Sequence, residues 1–116
     1  MGKKLGVMSS IDGSLNMVEK IICSAIWYQE LPTPVYRPIN VDRGIVFCGH
    51  RHPHCIHQMH AMTKKNQSQV GGYIQGFLTN TNRFVDRKEG AIIAIESGQI
   101  EKLQYSKMYL FSEDLY

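Results

Sequence analysis

The sequence predicts a small single domain of the α+β class, with an antiparallel sheet and two main helices. The 116-residue chain has a length typical of one domain, and its hydrophobic share of 43% is ordinary for a folded protein. Short apolar runs rich in β-branched and aromatic residues indicate strands, and two segments carry helix-start signals. Residues 1–16 hold three glycines, three serines and no sustained period, so we expect a loose lead-in before a domain spanning 17–116.

Residues 73–85 have the composition of two strands joined by a turn. Tyr73–Thr79 is aromatic, β-branched and apolar, which favours a strand. The Asn-Thr-Asn sequence at 80–82 is typical of a turn, because Asn tolerates left-handed backbone angles. Residues 83–85 are then expected to return as the second strand.

A helix with both ends marked follows this pair of strands. Asp86 is a preferred N-cap residue, and Glu89 three positions later would complete a capping box. Gly98 stands where a left-handed residue ends a helix. The predicted apolar stripe consists of Ala91, Ile92, Ala94 and Ile95.

The first half of the domain is predicted to contribute two more strands and a helix. Residues 18–28 alternate like a strand buried on both faces, although the spacing of Ile22 and Ile26 also fits a helix. Three prolines make residues 31–40 a loop, either an arm or a flap over a ligand. Residues 45–48 are expected to pair antiparallel with 18–28.

The first helix is expected to open after Gly49, with Pro53 in its first turn. Its predicted apolar stripe consists of Cys55, Ile56, Met59 and Met62. Residues 66–72 form a connector, residues 108–111 a last strand, and residues 112–114 a turn-like end.

Charge and cysteine content narrow the function classes. A net charge of +3 is far below the dense basic stripe of a duplex-DNA-binding protein, but it suits a small anionic ligand. Three cysteines fit no disulfide framework, which predicts free thiols in a reducing cytoplasm. No apolar run approaches the roughly 20 residues that a membrane-spanning helix needs.

The junction between the second strand and the first helix is the first candidate site. Arg51 and His52 stand at a helix N-terminus, where free N–H groups and the helix dipole favour an anion. Gly49 allows close approach of a ligand to the backbone. The alternative is that Arg51 and His52 are solvated cap residues.

The turn at 80–87 is the second candidate site. Arg83 and Arg87 flank Phe84, and two guanidiniums beside an aromatic ring suit phosphate and base recognition. The alternative is a solvated basic turn beside a core phenylalanine.

Metal binding and catalysis have weaker support in the sequence. All five histidines lie between His50 and His60, but no second segment offers the partner ligands that zinc sites use. Cys48 or Cys55 beside a histidine suggests nucleophilic catalysis, but no orienting group or oxyanion site is indicated. We therefore expect that the protein binds no metal, uses no cofactor and has no enzymatic activity.

Several motifs resemble those of the phage anti-Thoeris proteins of the first described type. The run at 49–56 reads GHRHPHCI, and the run at 75–89 reads QGFLTNTNRFVDRKE. The sequences GQI at 98–100 and LFSEDL at 110–115 fit the same family. The resemblance covers residues 45–116.

The resemblance implies a cytoplasmic protein that sequesters glycocyclic ADP-ribose, the signal made by bacterial TIR-domain enzymes in the infected host, without turning it over. It also implies a homodimer with two ligand pockets at the dimer interface. Some similar members are described as larger rings, which bind cyclic oligonucleotides as well. The expected ligand-binding residues are Arg51 and Arg87 on phosphates, Phe77 or Phe84 on the base, Thr79 or Asn82 on ribose or base edges, with His52 and Arg83 beside them.

A different function class stays open at the level of the sequence. The histidine cluster and the basic loops also fit a zinc-binding or nucleic-acid-binding small phage regulator. Metal content and the salt dependence of duplex-DNA binding separate this alternative from nucleotide sequestration.

Overall fold

The computed structural model describes residues 18–116, so the lead-in predicted for residues 1–16 lies outside the described residues. A four-stranded antiparallel sheet forms the centre, with the strand order β2-β1-β3-β4. Its strands are β1 Ile21–Tyr28, β2 Ile45–Gly49, β3 Tyr73–Thr79 and β4 Phe84–Asp86, and its helices are α1 His52–Thr63, α2 Arg87–Glu96 and the short α3 Ser112–Leu115. The predicted α+β class, antiparallel sheet and two main helices are confirmed.

Strand β1 is the central element, because it pairs with both β2 and β3. On one face Ile26 and Tyr28 are fully buried beneath α1, against Cys55 and Met59. On the opposite face Ala25 is also fully buried. The strand prediction for this segment is therefore correct, and burial on both faces explains its dense apolar composition.

Both main helices pack on the same face of the sheet. Helix α2 covers Phe77 and Val85, and Leu110 from the chain after α2 completes this part of the core. Gly90 lets α2 approach closely, since a Cβ atom there would lie 3.1 Å from the Phe77 ring. The face below the helices thus carries most of the described core.

The opposite face of the sheet is covered, within the described residues, by the proline-rich loop of residues 31–42. Val41 packs there against Ala25 and Phe84. The Asn40 side chain exchanges hydrogen bonds of 2.7 and 2.8 Å with the main chain of Phe84, which fixes the loop to β4. The loop prediction is correct, and its tip leaves Val35 and Tyr36 exposed by 84% and 93%.

The predicted ends of α2 are confirmed, but one capping detail is wrong. Asp86 Oδ1 accepts hydrogen bonds from the main-chain N–H groups of Lys88 and Glu89 at 3.0 and 2.8 Å. Gly98 has the expected positive φ of 82°. The Glu89 side chain does not close a capping box; its carboxylate pairs with Arg83 instead.

Three other sequence predictions need correction. The stripe of α2 includes Ile93, while Ile92 and Ile95 are exposed by 52% and 42%. Met62 of α1 is also exposed. Residues 108–111 form no strand, because their buried member Leu110 donates its N–H to the Arg87 carbonyl rather than joining a sheet ladder.

Replacing Asp86 with alanine should lower the free energy of unfolding by about 1 kcal/mol, the usual cost of removing an N-cap. The variant leaves the N–H groups of Lys88 and Glu89 without their side-chain acceptor. Urea unfolding of Asp86→Ala against the exposed control Glu101→Ala measures the difference. Equal stabilities of both variants would show that Asp86 does not stabilise α2.

Candidate functional site

Arg51 precedes α1, and its side chain reaches across to the end of the described chain. Its Nη1 donates a 2.9 Å hydrogen bond to Ser112 Oγ, and its Nη2 donates to the main-chain oxygen of Tyr116. The guanidinium also lies 5.3 Å from the centre of the Tyr116 ring. Arg51 is thus positioned by the segment around α3, not by α1 alone.

Arg87, the first residue of α2, is held by the same segment. Its Nη1 donates to the Leu110 carbonyl at 2.9 Å, and its Nη2 donates to Gln75 Oε1 on β3 at 2.6 Å. The Phe111 ring packs 4.6 Å from the guanidinium carbon. Burial lowers the pKa of Arg87, yet an arginine keeps its charge at any physiological pH.

His52, the residue after Arg51, is buried, and its ring lies beside Arg87. Its Nε2 lies 2.8 Å from the Gly76 carbonyl, which accepts only, so this nitrogen carries the proton. Its Nδ1 is then a lone-pair acceptor and faces Arg87 Nη2 at 3.4 Å. Burial lowers the pKa of His52, and the nearby Arg87 charge acts in the same direction. The ring is therefore neutral near pH 7.

We call this group the arginine site; its members are Arg51, His52, Gln75, Arg87, Phe111 and Ser112. Within residues 18–116, no aspartate or glutamate carboxylate lies within 4.0 Å of either site guanidinium. The exposed Glu113 carboxylate interacts with the charges of Arg51 and Arg87 at longer range. Two guanidiniums that are held by residues 110–116 and paired with no aspartate or glutamate can attract an anion.

Two of the predicted ligand-binding residues belong to the interior of the domain. Phe77 is fully buried in the core below α2, so neither face of its ring is open to a base. Thr79 is 1% exposed, and its hydroxyl donates to Glu19 Oε2 at 2.8 Å. The structure thus gives both side chains a role in folding.

Arg83 lies at the far end of β3 and β4, in an ion-pair network. Its Nε and Nη2 each donate at 2.9 Å to the Glu19 carboxylate, and Nη2 also reaches Glu89 at 2.9 Å. With two carboxylates as partners, Arg83 has its charge compensated internally. The structure therefore separates it from Arg51 and Arg87, with which the sequence grouped it.

Phe84 and Asn82 lie on the sheet face away from the helices. Phe84 is 5% exposed and packs edge-on against Trp27, with ring centres 5.8 Å apart. Asn82 has the positive φ of 62° expected for this turn. Its side chain borders an open groove of about 380 Å³ beneath the loop residues Val35 to Pro38.

Sequence reasoning did not assign the residues that position the two arginines. Gln75, Phe111 and Ser112 contact Arg87 or Arg51 although they are distant along the chain. The only signal that included them was the resemblance, whose motifs span 75–89 and 110–115. Their composition alone does not distinguish them from other strand and loop residues.

The Glu19–Arg83 ion pair makes the stability of the folded protein depend on pH. The hydrogen bond from Arg83 lowers the pKa of Glu19 from 4.5 to about 2. A carboxylate with a lowered folded-state pKa stabilises the fold above pH 4.5, and this contribution is lost as the pH falls towards 2. We expect Glu19→Gln to cost about 2 kcal/mol near neutral pH and much less near pH 2.5.

Urea unfolding of both proteins across this range measures the effect, with the exposed Glu101→Gln as the control variant. A stability difference between wild type and Glu19→Gln that stays constant from neutral pH to acid would contradict the assignment.

The sequence profile of a family described as "Phage T4 y16D protein" matches residues 20–116. The chain belongs to this family. The match covers all four strands, both main helices and every member of the arginine site. No curated protein and no solved structure matches the chain significantly.

Two further findings concern metal binding and membrane spans in the described part of this y16D-family chain. Residues 18–116 contain no group of three or more histidine, cysteine, aspartate or glutamate side chains arranged to hold a metal ion. Over the same residues, no helix has the length and apolar character required to cross a bilayer.

Proposed function

We propose that this y16D-family protein binds and sequesters a cyclic ADP-ribose-type signalling nucleotide, glycocyclic ADP-ribose made by bacterial TIR-domain enzymes, in the host cytoplasm. The observation that carries the proposal is that residues 110–112 hold both Arg51 and Arg87, and that neither arginine has an aspartate or glutamate partner within salt-bridge distance. The family supports a phage protein, and the motifs at 49–56 and 75–89 support this ligand class.

The guanidiniums keep enough hydrogen-bond donors to bind phosphate. Each guanidinium has five N–H donors. Arg51 uses two of its N–H groups on Ser112 and Tyr116, which leaves three for a ligand. The planar fork of Arg matches phosphate oxygens in pairs, and a pyrophosphate presents several such oxygens.

We assign the contact with the adenine base to the aromatic rings beside Arg51 and Arg87. Phe77 and Phe84 are buried by their neighbours, whereas Phe111 and Tyr116 are partly exposed and lie next to Arg87 and Arg51. Adenine stacked on such a ring would also lie close to a guanidinium, which adds a cation–π attraction.

Binding without turnover follows from the state of His52 in this proposal. A general base needs a free lone pair directed at the substrate. In the arginine site the Nε2 proton of His52 is directed to Gly76, and Nδ1 faces Arg87. The site therefore offers positive charge and fixed geometry, which suit affinity more than bond cleavage.

Calorimetric titration with cyclic ADP-ribose or its glycocyclic isomer tests this function. After incubation with TIR-enzyme products, the protein is heated and the released small molecules are identified by mass spectrometry. Release of the intact nucleotide would support sequestration, and release of a converted product would show an enzyme instead. Absence of binding to any cyclic nucleotide would refute the proposal.

The second copy implied by the resemblance is also part of the proposal. The loop tip exposes three large apolar side chains, Val35, Tyr36 and Ile39, by 71–93%. Adjacent exposed apolar residues on a small domain are typical of an interface. We therefore expect a homodimer, the commonest symmetric assembly, at micromolar concentration, either alone or as the unit of a larger ring.

Light scattering of wild type, Tyr36→Asp and the control Tyr105→Asp tests the assembly. Tyr105 is exposed by 61% and follows α2 in the chain, outside the loop of residues 31–42. Dissociation to monomer by Tyr36→Asp alone is expected. A monomeric wild type, or equal masses for all three proteins, would contradict this interface.

A further inference from the structure

Strand β2 is an edge strand, because the order β2-β1-β3-β4 gives it a neighbour on one side only. In an antiparallel ladder the N–H and C=O groups of one residue point to the same side, and successive residues alternate between the two sides. Gly44 donates its N–H to the Thr33 hydroxyl at 2.9 Å, and the Cys48 carbonyl accepts from the Gln58 side chain at 2.7 Å. Both residues therefore point outwards. Val46, midway between them, directs its N–H and C=O away from β1 as well.

The register of the sheet supports this orientation of Val46. Gln29 donates its main-chain N–H to the Gly72 carbonyl at 3.2 Å, on the β3 side of β1. Trp27, two residues earlier, therefore also directs its main chain towards β3, and Trp27 is the β1 residue opposite Val46. In residues 18–116, no side chain and no loop forms a hydrogen bond with the main chain of Val46.

The outer edge of β2 lacks the features that keep edge strands apart in monomeric proteins. Its five residues include no proline and no charged residue, and its ladder with β1 has no bulge. Such features are common at edges, because an open row of N–H and C=O groups readily pairs with another strand. The other edge strand, β4, is only three residues long, and the Asn40 side chain occupies the main chain of Phe84.

The two ends of the β2 edge carry opposite charges. Asp42 precedes the strand and is exposed, and it forms no ion pair in the described part of the chain, whereas Arg43 beside it lies 3.8 Å from Glu30. Arg51 follows the strand. Antiparallel pairing of two such edges brings the Asp42 end of each strand to the Arg51 end of the other, whereas parallel pairing brings like charges together.

We propose that the outer edge of β2 pairs antiparallel with β2 of a second copy of this chain, which joins two four-stranded sheets into one continuous sheet. Val46 lies at the two-fold axis, because the Gly44 N–H and the Cys48 carbonyl on either side already have partners in their own chain. Each Val46 donates its N–H to the Val46 carbonyl of the partner subunit. The proposal rests on the homodimer of the proposed function and identifies the strand that forms it.

Two features described above border this strand. Val35 and Tyr36 of the exposed loop tip line the same groove as Val46 and Cys48, so the loop tip extends the contact made by the strand. Helix α1 begins three residues after β2 ends, so the pairing places the start of each α1 beside the partner subunit. Each arginine site then lies at the border of the interface.

Amide hydrogen exchange of the full-length wild-type chain, followed by NMR at two protein concentrations, tests the pairing. The Val46 N–H should exchange about tenfold more slowly once about nine-tenths of the chains are dimeric by sedimentation, because exchange occurs from the unpaired edge. The Phe47 N–H faces β1 and is the control, since it should be protected at both concentrations.

A Val46 exchange rate that does not change with concentration, in samples shown to be dimeric, would overturn the pairing alone. It would leave a homodimer through another surface and nucleotide binding intact. A chain that stays monomeric at every concentration would overturn both the pairing and the homodimer. Nucleotide binding is measured separately by calorimetry, so its failure is distinguishable from either result.

The matched variants are Val46→Pro and Val46→Thr. Proline removes the outward N–H and is tolerated on an edge strand where that N–H faces solvent, so we expect a folded monomer at concentrations at which the wild type is dimeric. Threonine keeps the N–H and favours strands, so Val46→Thr should remain dimeric. A Val46→Pro protein that melts like a folded domain and dimerises like wild type would contradict the proposal. The exchange measurement on the wild-type chain decides the question even where Val46→Pro does not fold.

Discussion

Replacing Arg87 with alanine is expected to weaken binding of the cyclic nucleotide at least tenfold, about 1.4 kcal/mol. The first turn of a helix is a poor place for a cation, because the helix dipole opposes positive charge there. An anion bound beside Arg87 offsets this repulsion and gains charge-assisted hydrogen bonds of roughly 1.5–3 kcal/mol each. Arg51→Ala should act similarly, since Arg51 stands at the start of α1.

Calorimetry of Arg87→Ala, Arg87→Lys and the control Arg43→Ala measures the effect. Lysine keeps the charge but lacks the planar fork, so it should recover little of the affinity. Arg43 is an exposed arginine whose side chain approaches Glu30, and its loss should not change binding. A folded Arg87→Ala that binds like wild type would place the ligand elsewhere.

Gly76→Ala is expected to be strongly destabilising, at roughly 3 kcal/mol, near the upper end for overpacking. A Cβ atom at this position would lie 2.0 Å from the Val85 carbonyl oxygen and 2.9 Å from the Phe84 ring. The first of these is main chain in the neighbouring strand, so β3 and β4 must separate to make room. The same movement would disturb the Gly76 carbonyl that accepts from His52.

Urea unfolding of Gly76→Ala beside Gly72→Ala isolates this effect. Gly72 is a glycine of the same region, but its added Cβ would meet only the end of the Gln29 side chain, at 3.5 Å. A near-neutral Gly72→Ala with a strongly destabilised Gly76→Ala is expected. Comparable stability of the two variants would show that β4 can shift without cost.

Local chemistry made part of this fold predictable. The strand Tyr73–Thr79, the turn after it and the cap at Asp86 depend on neighbours in sequence, and all three are confirmed. The stripe of α2 was misread because Gly90 carries no side chain to mark the contact. Its close approach to Phe77 makes Ile93 face the core.

The candidate site was only half predictable for a different reason. Helix-start signals found Arg51 and Arg87 separately, since such signals are local. Their common neighbours Gln75 and Ser112 come from β3 and from α3, so only the folded chain brings them together. Arg83 looked equivalent in sequence, but Glu19, more than sixty residues earlier, supplies its partner.

The central position of β1 determines how the chain must fold. Its ladder with β3 joins Tyr28 to Tyr73 at one end and Ile21 to Thr79 at the other. Because β2 and α1 lie between these two strands in the chain, pairing β1 with β3 closes a long loop that contains both elements. Closing such a loop costs chain entropy before any pairing is gained. We therefore expect refolding in milliseconds to seconds, well slower than a helical bundle of equal length. The local turn between β3 and β4 would be an early nucleus. Strand β1 would then pair last, with β2 on one side and β3 on the other.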